Sequence, residues 1–210
     1  MVTKQLEHWQ GDLGNTYVDR NPIEDQIEYR VNFWQDMLRR TLCTPTYSPK
    51  SILEVGAGQG ANLIALNNIY FVANTPLELT AVEPNEKARN LLRQNSRAKI
   101  IERDAFEIHA DDYSHDLVFT MGVLIHIHPD DIKKAMDEIY RVSKRFVMCS
   151  EYFSPQLREI KYYEKETLWA NDYGSLWMDN FKLRHVAHCF HWKRTTGMDG
   201  ITTWVFEKVN

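Results

Sequence analysis

Ile52-Leu53-Glu54-Val55-Gly56-Ala57-Gly58-Gln59-Gly60-Ala61-Asn62-Leu63 decides the reading of this chain. An apolar strand runs into glycines at alternate positions and then into a helix. Glycine at such a turn lets the backbone bend sharply and lets a ligand approach the main chain closely. One glycine is common in any strand–helix turn. A series directly after a strand points to a ligand-binding loop.

Working outward, the chain from Ser51 alternates between two kinds of segment. Short apolar runs fall at Ser51–Val55, Leu77–Val82, Ala98–Glu102, Asp116–Met121 and Arg145–Ser150. Helical stretches lie between them, clearest at Asn85–Asn95 and Pro129–Ser143. In the second, Asp130 and Asp131 occupy the first turn, as the helix dipole favours. Such alternation predicts a parallel sheet with helices on both faces. Toward the end a helix is expected near Glu166–Met178. Two strands, Lys182–Trp192 and Ile201–Glu207, then flank a turn at Thr195–Gly200, which favours a closing antiparallel hairpin.

Residues 1–45 read as a helical cap belonging to the same domain, with the main domain over 46–210. Asn21-Pro22-Ile23-Glu24 has the pattern of a helix start, with Asn21 as cap and Pro22 at the first helical position. Ile23, Ile27, Val31, Trp34, Leu38 and Leu42 then form one apolar stripe.

The chain has 210 residues, 43% of them hydrophobic, enough for one well-filled core without disulfides. Its 25 Lys and Arg against 29 Asp and Glu give a net charge of −4, which disfavours nucleic acid as a partner. The 3 cysteines, Cys43, Cys149 and Cys189, are widely spaced and suggest a reducing, cytoplasmic setting. MVTKQLEHWQGD is too polar for a signal peptide. Leu117–Ile127 falls well short of the ~20 residues of a membrane span. Nothing in the sequence sets the oligomeric state.

Two cofactor classes compete for the glycine loop. Gly56, Gly58 and Ala61 satisfy the dinucleotide pattern, and Glu83 follows at the distance of a ribose-binding acid. A nicotinamide-dependent oxidoreductase is therefore one reading. Against it, Glu54 stands inside the strand, Gly60 adds a further glycine, and Asp104 follows the next strand. S-adenosylmethionine (SAM) carries a ribose, an adenine amine and an amino-acid moiety but no phosphates. Acids after successive strands suit its hydroxyls and amine. Glu83 also has a plainer reading as a helix-capping acid, and Asp104 as a turn acid. Phe106 suits the core as well as an adenine stack.

These residues resemble the class I SAM-dependent methyltransferases, whose fold is a Rossmann-like, seven-stranded, mostly parallel sheet. Three further blocks narrow the resemblance to the methylases associated with pseudaminic acid biosynthesis. They are Trp9-x-Gly11-Asp12-x-Gly14-x-x-Tyr17-x-x-Arg20-Asn21, Gly122-Val123-Leu124-Ile125-His126-Ile127-His128-Pro129, and Glu151-Tyr152-Phe153-Ser154-Pro155. The chain departs from that family at Tyr162-Tyr163-Glu164 and Ala170-Asn171-Asp172-Tyr173, in the region expected to meet the acceptor. The resemblance implies SAM as methyl donor and S-adenosylhomocysteine (SAH) as product. It implies a small polar acceptor, a sugar or sugar nucleotide first, methylated on a hydroxyl or an amine. Tyr17 and Arg20 are implied at the methionine end, where a guanidinium can hold a carboxylate. Glu54, Gly56, Ala57, Gly58, Gly60 and Asn62 are the expected cofactor loop. Glu83, Pro84, Asp104, Ala105, Met121 and Gly122 are the expected cofactor contacts at the other strand ends.

For the chemistry, His126 is the first candidate base and His128 the second, because imidazole titrates near neutrality. Glu151 and Tyr152, at the next strand end, are expected to orient acceptor or histidine. His185, Cys189 and His191 would share one face of a regular strand and His188 the other. That spacing matches no familiar zinc pattern, so no metal is expected. Tyr162, Tyr163, Trp169, Tyr173 and Trp177 read mostly as core at helical spacing. A SAM-binding scaffold without turnover is the non-enzymatic alternative.

Overall fold

The computed structural model describes residues 3–162 and 166–209. Its centre is β1 (Ser51–Val55), paired in parallel with β2 (Glu78–Val82) on one side and β4 (His115–Met121) on the other. A strand with neighbours on both sides and helices on both faces must be apolar at nearly every position. Glu54 is the exception, buried to 2% exposure. Beyond β2 lies β3 (Lys99–Ile101), and beyond β4 lies β5 (Ser143–Glu151). The antiparallel pair β8 (Leu183–Phe190) and β9 (Thr202–Lys208) closes the sheet, with β9 against β5. The result is a seven-stranded sheet of order β3-β2-β1-β4-β5-β9-β8. Strand order reverses between β1 and β4, and open sheets of this kind bind ligands at that crevice.

Helices α4 (Ala61–Val72), α5 (Glu86–Asn95) and α6 (Ile132–Val142) connect the parallel strands. In α6, Ile132, Ala135, Met136, Ile139 and Val142 are buried, the repeat of one helix face. The N-terminal cap packs its last helix beside α4, on the sheet face opposite α6. It comprises α1 (Lys4–Gln10), α2 (Asp12–Arg20), a short 3-10 turn at Ile23–Asp25, and α3 (Ile27–Met37), which runs into a π turn at Leu38–Leu42. Phe33, Trp34, Met37, Leu38 and Leu42 pack against Ile52, Leu117 and Phe119 of the sheet. Among the described residues, no helix is long and apolar enough to cross a membrane.

Several expectations need correction. No helix starts at Asn21: two helices precede it, and Asn21 instead closes α2 by donating to the Tyr17 carbonyl at 2.8 Å. Pro22 is extended, so the helix begins only after the 3-10 turn. The expected helix at Glu166–Met178 divides. Its first part is β7 (Glu166–Ala170), an antiparallel partner of β6 (Arg158–Tyr162), and only Tyr173–Asn180 is helical, as α7. Asp172 caps that helix on the Ser175 amide at 2.9 Å, which ends the strand before it. Trp169 is therefore core from a strand, whereas Tyr173 and Trp177 are core from a helix. Tyr163 and Glu164 lie outside the described residues.

The turn between the closing strands holds a single helical turn, α8 (Lys193–Thr196). In β8 the pairing shifts between His185 and Ala187, so the simple alternation of faces fails. His188 consequently meets His185, at 3.3 Å between ring nitrogens, while His191 is buried against Thr203 at 3.0 Å.

Candidate active site

At the switch point, loops from four strand ends and the two first helices of the cap enclose one cavity. Gly56 has φ +73°, and a side chain there would strike Val123 Cγ2 at 2.5 Å, so glycine lets the β1 and β4 loops touch. Gly58 (φ +54°) and Gly122 line the cavity, and a Cβ at either would meet nothing within 4 Å. The backbone is bare toward the cavity there, as a ligand cradle requires. Glu54, Ala57, Gly60 and Asn62 are set back from the cavity wall.

Glu83 projects from the end of β2 into the same cavity. Its Oε2 accepts from the Gly58 amide at 2.7 Å and its Oε1 from the Asn85 amide at 2.8 Å. Burial pushes its carboxyl up, and those two amides pull it back. The carboxylate is thus fixed with lone pairs still directed into the cavity. Pro84 lies beside it, and Asp104, Ala105 and Phe106 follow β3 along the same wall. Asp104 Oδ1 accepts from the Phe106 amide at 2.8 Å. Phe106 both packs on the core and lines the cavity.

A polar relay runs behind the glycine loop. Trp34 Nε1 of the cap donates to Asn62 Oδ1 at 3.1 Å, and Asn62 Nδ2 donates to Glu54 Oε1 at 2.6 Å. Glu54 Oε2 and Arg30 Nε are buried without a partner. The Arg30 guanidinium points at the sulfurs of Met121 and Met198, which are weak acceptors. A buried carboxylate oxygen and a buried guanidinium nitrogen, both unsatisfied and within each other's field, carry a desolvation cost. A zwitterionic amino-acid group would relieve it, with its ammonium toward Glu54 and its carboxylate toward Arg30.

Arg30, rather than Arg20, is the cation at this buried end. Arg20 is on the exposed side of α2, where it donates to the Thr16 carbonyl at 3.2 Å and hydrogen-bonds Tyr162. The sign of Arg30 in the sequence is its place on the apolar face of α3, one turn before Trp34. Tyr17 lines the cavity with its ring 5.4 Å from Trp9.

At the other end, Trp9 from α1 lies 4.5 Å from His126, centroid to centroid, and His126 lies 5.6 Å from Tyr162. Burial among these rings pushes the His126 imidazole down to about 3, so it is neutral throughout the physiological range. His128 is not part of the cavity wall. Its Nδ1 accepts from the Asp130 amide at 3.2 Å and its ring stands edge-on to Trp169. Glu151 is fully buried beneath the Gly122–His126 loop, accepting from Thr120 Oγ1 at 2.8 Å and from the amides of Val123 and Ile125 at 3.3 Å. It supports that loop rather than facing the cavity. Tyr152 opens instead onto a neighbouring groove with Phe153, Ser154, Arg158 and Ile160. No cluster of three or more metal-ligating side chains occurs among the described residues.

The same groups set a pH dependence of stability. Burial raises Glu54 to about 8 and Glu151 to about 7, against 4.5 for an ordinary carboxyl. Each holds its proton more tightly folded than unfolded, so stability falls as pH rises from 4.5 through 7 and 8. His115, His126 and His191 are depressed by burial, so stability also falls as pH drops below 6.5. Above pH 6.5 the carboxyls alone decide the sign, so urea unfolding should show stability falling by a few kcal/mol between pH 6.5 and 9. A ligand ammonium at Glu54 should make the alkaline limb shallower.

Comparison with known proteins decides the class of this site. Residues 52–145 match the family model described as a methyltransferase domain. That stretch of the chain is a methyltransferase domain. The matched stretch holds the glycine loop, Glu83, Asp104 and the His126 loop. This methyltransferase shares its fold with the Burkholderia thailandensis 1,6-didemethyltoxoflavin-N1-methyltransferase, solved with 1,6-didemethyltoxoflavin and SAH. The two are 16% identical over 100% of this chain and 92% of the other, with TM-score 0.71. Synechocystis magnesium protoporphyrin IX methyltransferase, solved with SAM, is 13% identical over 99% of both chains, TM-score 0.66. Phosphoethanolamine N-methyltransferase 1 of Haemonchus contortus, solved with phosphoethanolamine and SAH, is 14% identical over 100% of this chain and 50% of that one, TM-score 0.70. At these identities the likeness is one of fold. No protein of curated function matches the chain by sequence.

Proposed function

We propose that this methyltransferase moves a methyl group from SAM to a hydroxyl or amine of a small polar acceptor, a sugar or sugar nucleotide first. The observation that carries the reading is the Glu83 carboxylate, pinned between the Gly58 and Asn85 amides inside the cavity. It suits a ribose diol, whose hydroxyls donate to carboxylate oxygens. Asp104 suits the adenine amine, and Arg30 with Glu54 suits the methionine end. Two acids on the cavity wall, Glu83 and Asp104, disfavour a pyrophosphate there, which weighs against a nicotinamide dinucleotide.

When bound, SAM supplies a methyl group already activated on a sulfonium. The chain's own residues then align the acceptor and exclude water, and alignment alone can contribute several kcal/mol. Trp9, Tyr17 and Leu6 of the cap cover the cavity. His126, at the acceptor end, is neutral and can accept a hydrogen bond from the acceptor's O–H or N–H. A base this weak orients the acceptor by that hydrogen bond, and the proton released on methylation passes to solvent as the product leaves. The exposed Phe153 ring and Arg158 beside Tyr152 suit the face and polar edge of a sugar.

His126→Phe keeps a ring against Trp9 and Tyr162 but removes the acceptor nitrogen. Turnover should fall by roughly 10²-fold through lost alignment of the acceptor, with SAH affinity retained. Full turnover in that variant would remove His126 from the chemistry. For the reaction itself, the purified protein is incubated with methyl-labelled SAM and fractionated cell extract. Label in a small polar molecule supports the proposal, and its mass identifies the acceptor. Label in nucleic acid or protein would overturn the acceptor class, and binding of NAD without SAM would overturn the reaction.

A further inference from the structure

The motif Trp9-x-Gly11-Asp12-x-Gly14 contributes only the Trp9 ring to the acceptor end of the cavity, and the geometry of the rest points to a second role. We propose that Asn85 is a positioning residue that latches the N-terminal helices over the cofactor, so that occupancy of the Glu83 subsite and closure of the lid are one event. The inference rests on the methyl-transfer reading.

Asn85 uses every polar group it has in its side chain and its backbone amide. That amide donates to Glu83 Oε1 at 2.8 Å, and its Oδ1 caps α5 by accepting from the Ala88 amide at 2.8 Å. Its Nδ2 faces the lid, with the Trp9 carbonyl at 3.1 Å, the Gln10 carbonyl at 3.3 Å and Asn15 Oδ1 at 3.1 Å. The first two are carbonyls at the end of α1, a helix terminus with unmet acceptors. Asn85 is buried to 3% exposure, so these bonds are made out of water.

Gly14 is the lid's half of the latch. A Cβ there would stand 2.0 Å from the Trp9 carbonyl oxygen and 2.7 Å from Asn85 Nδ2. Only a residue without a side chain lets the corner between α1 and α2 close onto the amide. A second tie runs from the glycine loop, where Gln59 Nε2 donates to the carbonyls of Val18 at 3.2 Å and Asn21 at 2.8 Å. The lid is thus bonded to the two loops that would hold the cofactor, and not only packed on them. A ligand that orders Glu83 orders the Asn85 amide next to it, and through its side chain the end of α1.

Asn85→Ser separates the jobs, because serine caps a helix as well as asparagine but cannot reach the lid. Trypsin cleavage within residues 1–20 is followed by mass spectrometry, with and without SAH, alongside thermal melting and the SAH dissociation rate by stopped flow. In the natural protein SAH should slow cleavage about tenfold or more, the response expected when a ligand favours the closed state by that factor. In Asn85→Ser the melting temperature should hold, the protection should vanish and SAH should leave about tenfold faster. Gly14→Ala, whose Cβ meets the Trp9 carbonyl as well as Asn85 Nδ2, should also abolish the protection. SAH protection retained in Asn85→Ser overturns the latch while leaving methyl transfer intact. Failure of SAH to bind the natural protein overturns the cofactor reading and the latch with it.

Discussion

Glu83→Gln should weaken SAH binding about 10²-fold and Glu83→Ala about 10³-fold, measured by calorimetry near neutral pH. The carboxylate has two partners in the protein, the Gly58 and Asn85 amides, and two hydroxyls to receive from a ribose. Hydrogen bonds to a charged group contribute roughly 1.5–3 kcal/mol each. Glutamine loses the charge and sets its NH2 against either the Gly58 or the Asn85 backbone N–H, two donors face to face. Alanine also strands the two loop amides, and the glycine loop loses the contact that holds Gly58 in place. An unchanged affinity in Glu83→Gln would mean that the ribose lies elsewhere and that Glu83 serves only as a loop brace.

Arg30→Met should cost SAH about 10² to 10³ in affinity while leaving adenosine unaffected. Breaking a buried, hydrogen-bonded charge pair typically costs about 3–5 kcal/mol, discounted here because Arg30 is only half-buried. Methionine suits the site, since the guanidinium already lies against the sulfurs of Met121 and Met198. The comparison of two ligands isolates the effect, because adenosine lacks the amino-acid group that Arg30 would hold. Equal losses for both ligands would point to a collapsed cap instead. Arg20→Met serves as the control: its guanidinium reaches Tyr162, and SAH affinity should change little.

Much of this site is legible in the sequence, for a physical reason. Parallel central strands are covered on both faces, so β1, β4 and β5 show as continuous apolar runs, and the residues just after each run lie at the ligand edge. Glu83, Asp104 and Gly122 are legible in that way. Arg30 is not, because its importance lies in being a charge on the buried face of α3, and only the apolar members of that face make a visible stripe. Helices α1 and α2 escape a local reading because their residues are polar and their short lengths make them marginal alone. They are stabilised by bonds from distant Asn85 and Gln59, which no local pattern shows. The β6–β7 pair is hidden by aromatic residues whose spacing also fits a helix. The meeting of His185 with His188 depends on one extra residue in β8, and a bulge of that kind reverses a face without leaving a sequence signature.

The relay from Trp34 through Asn62 to Glu54 has a consequence for observing this enzyme. Trp34 is fully buried, and its indole N–H is separated from the Glu54 carboxyl by one amide. Any change of charge at Glu54, whether by proton or by a ligand's ammonium, alters the electric field across that indole. The cap therefore carries an optical gauge of the methionine end, read without a label as the part of the emission that a Trp34→Phe variant lacks.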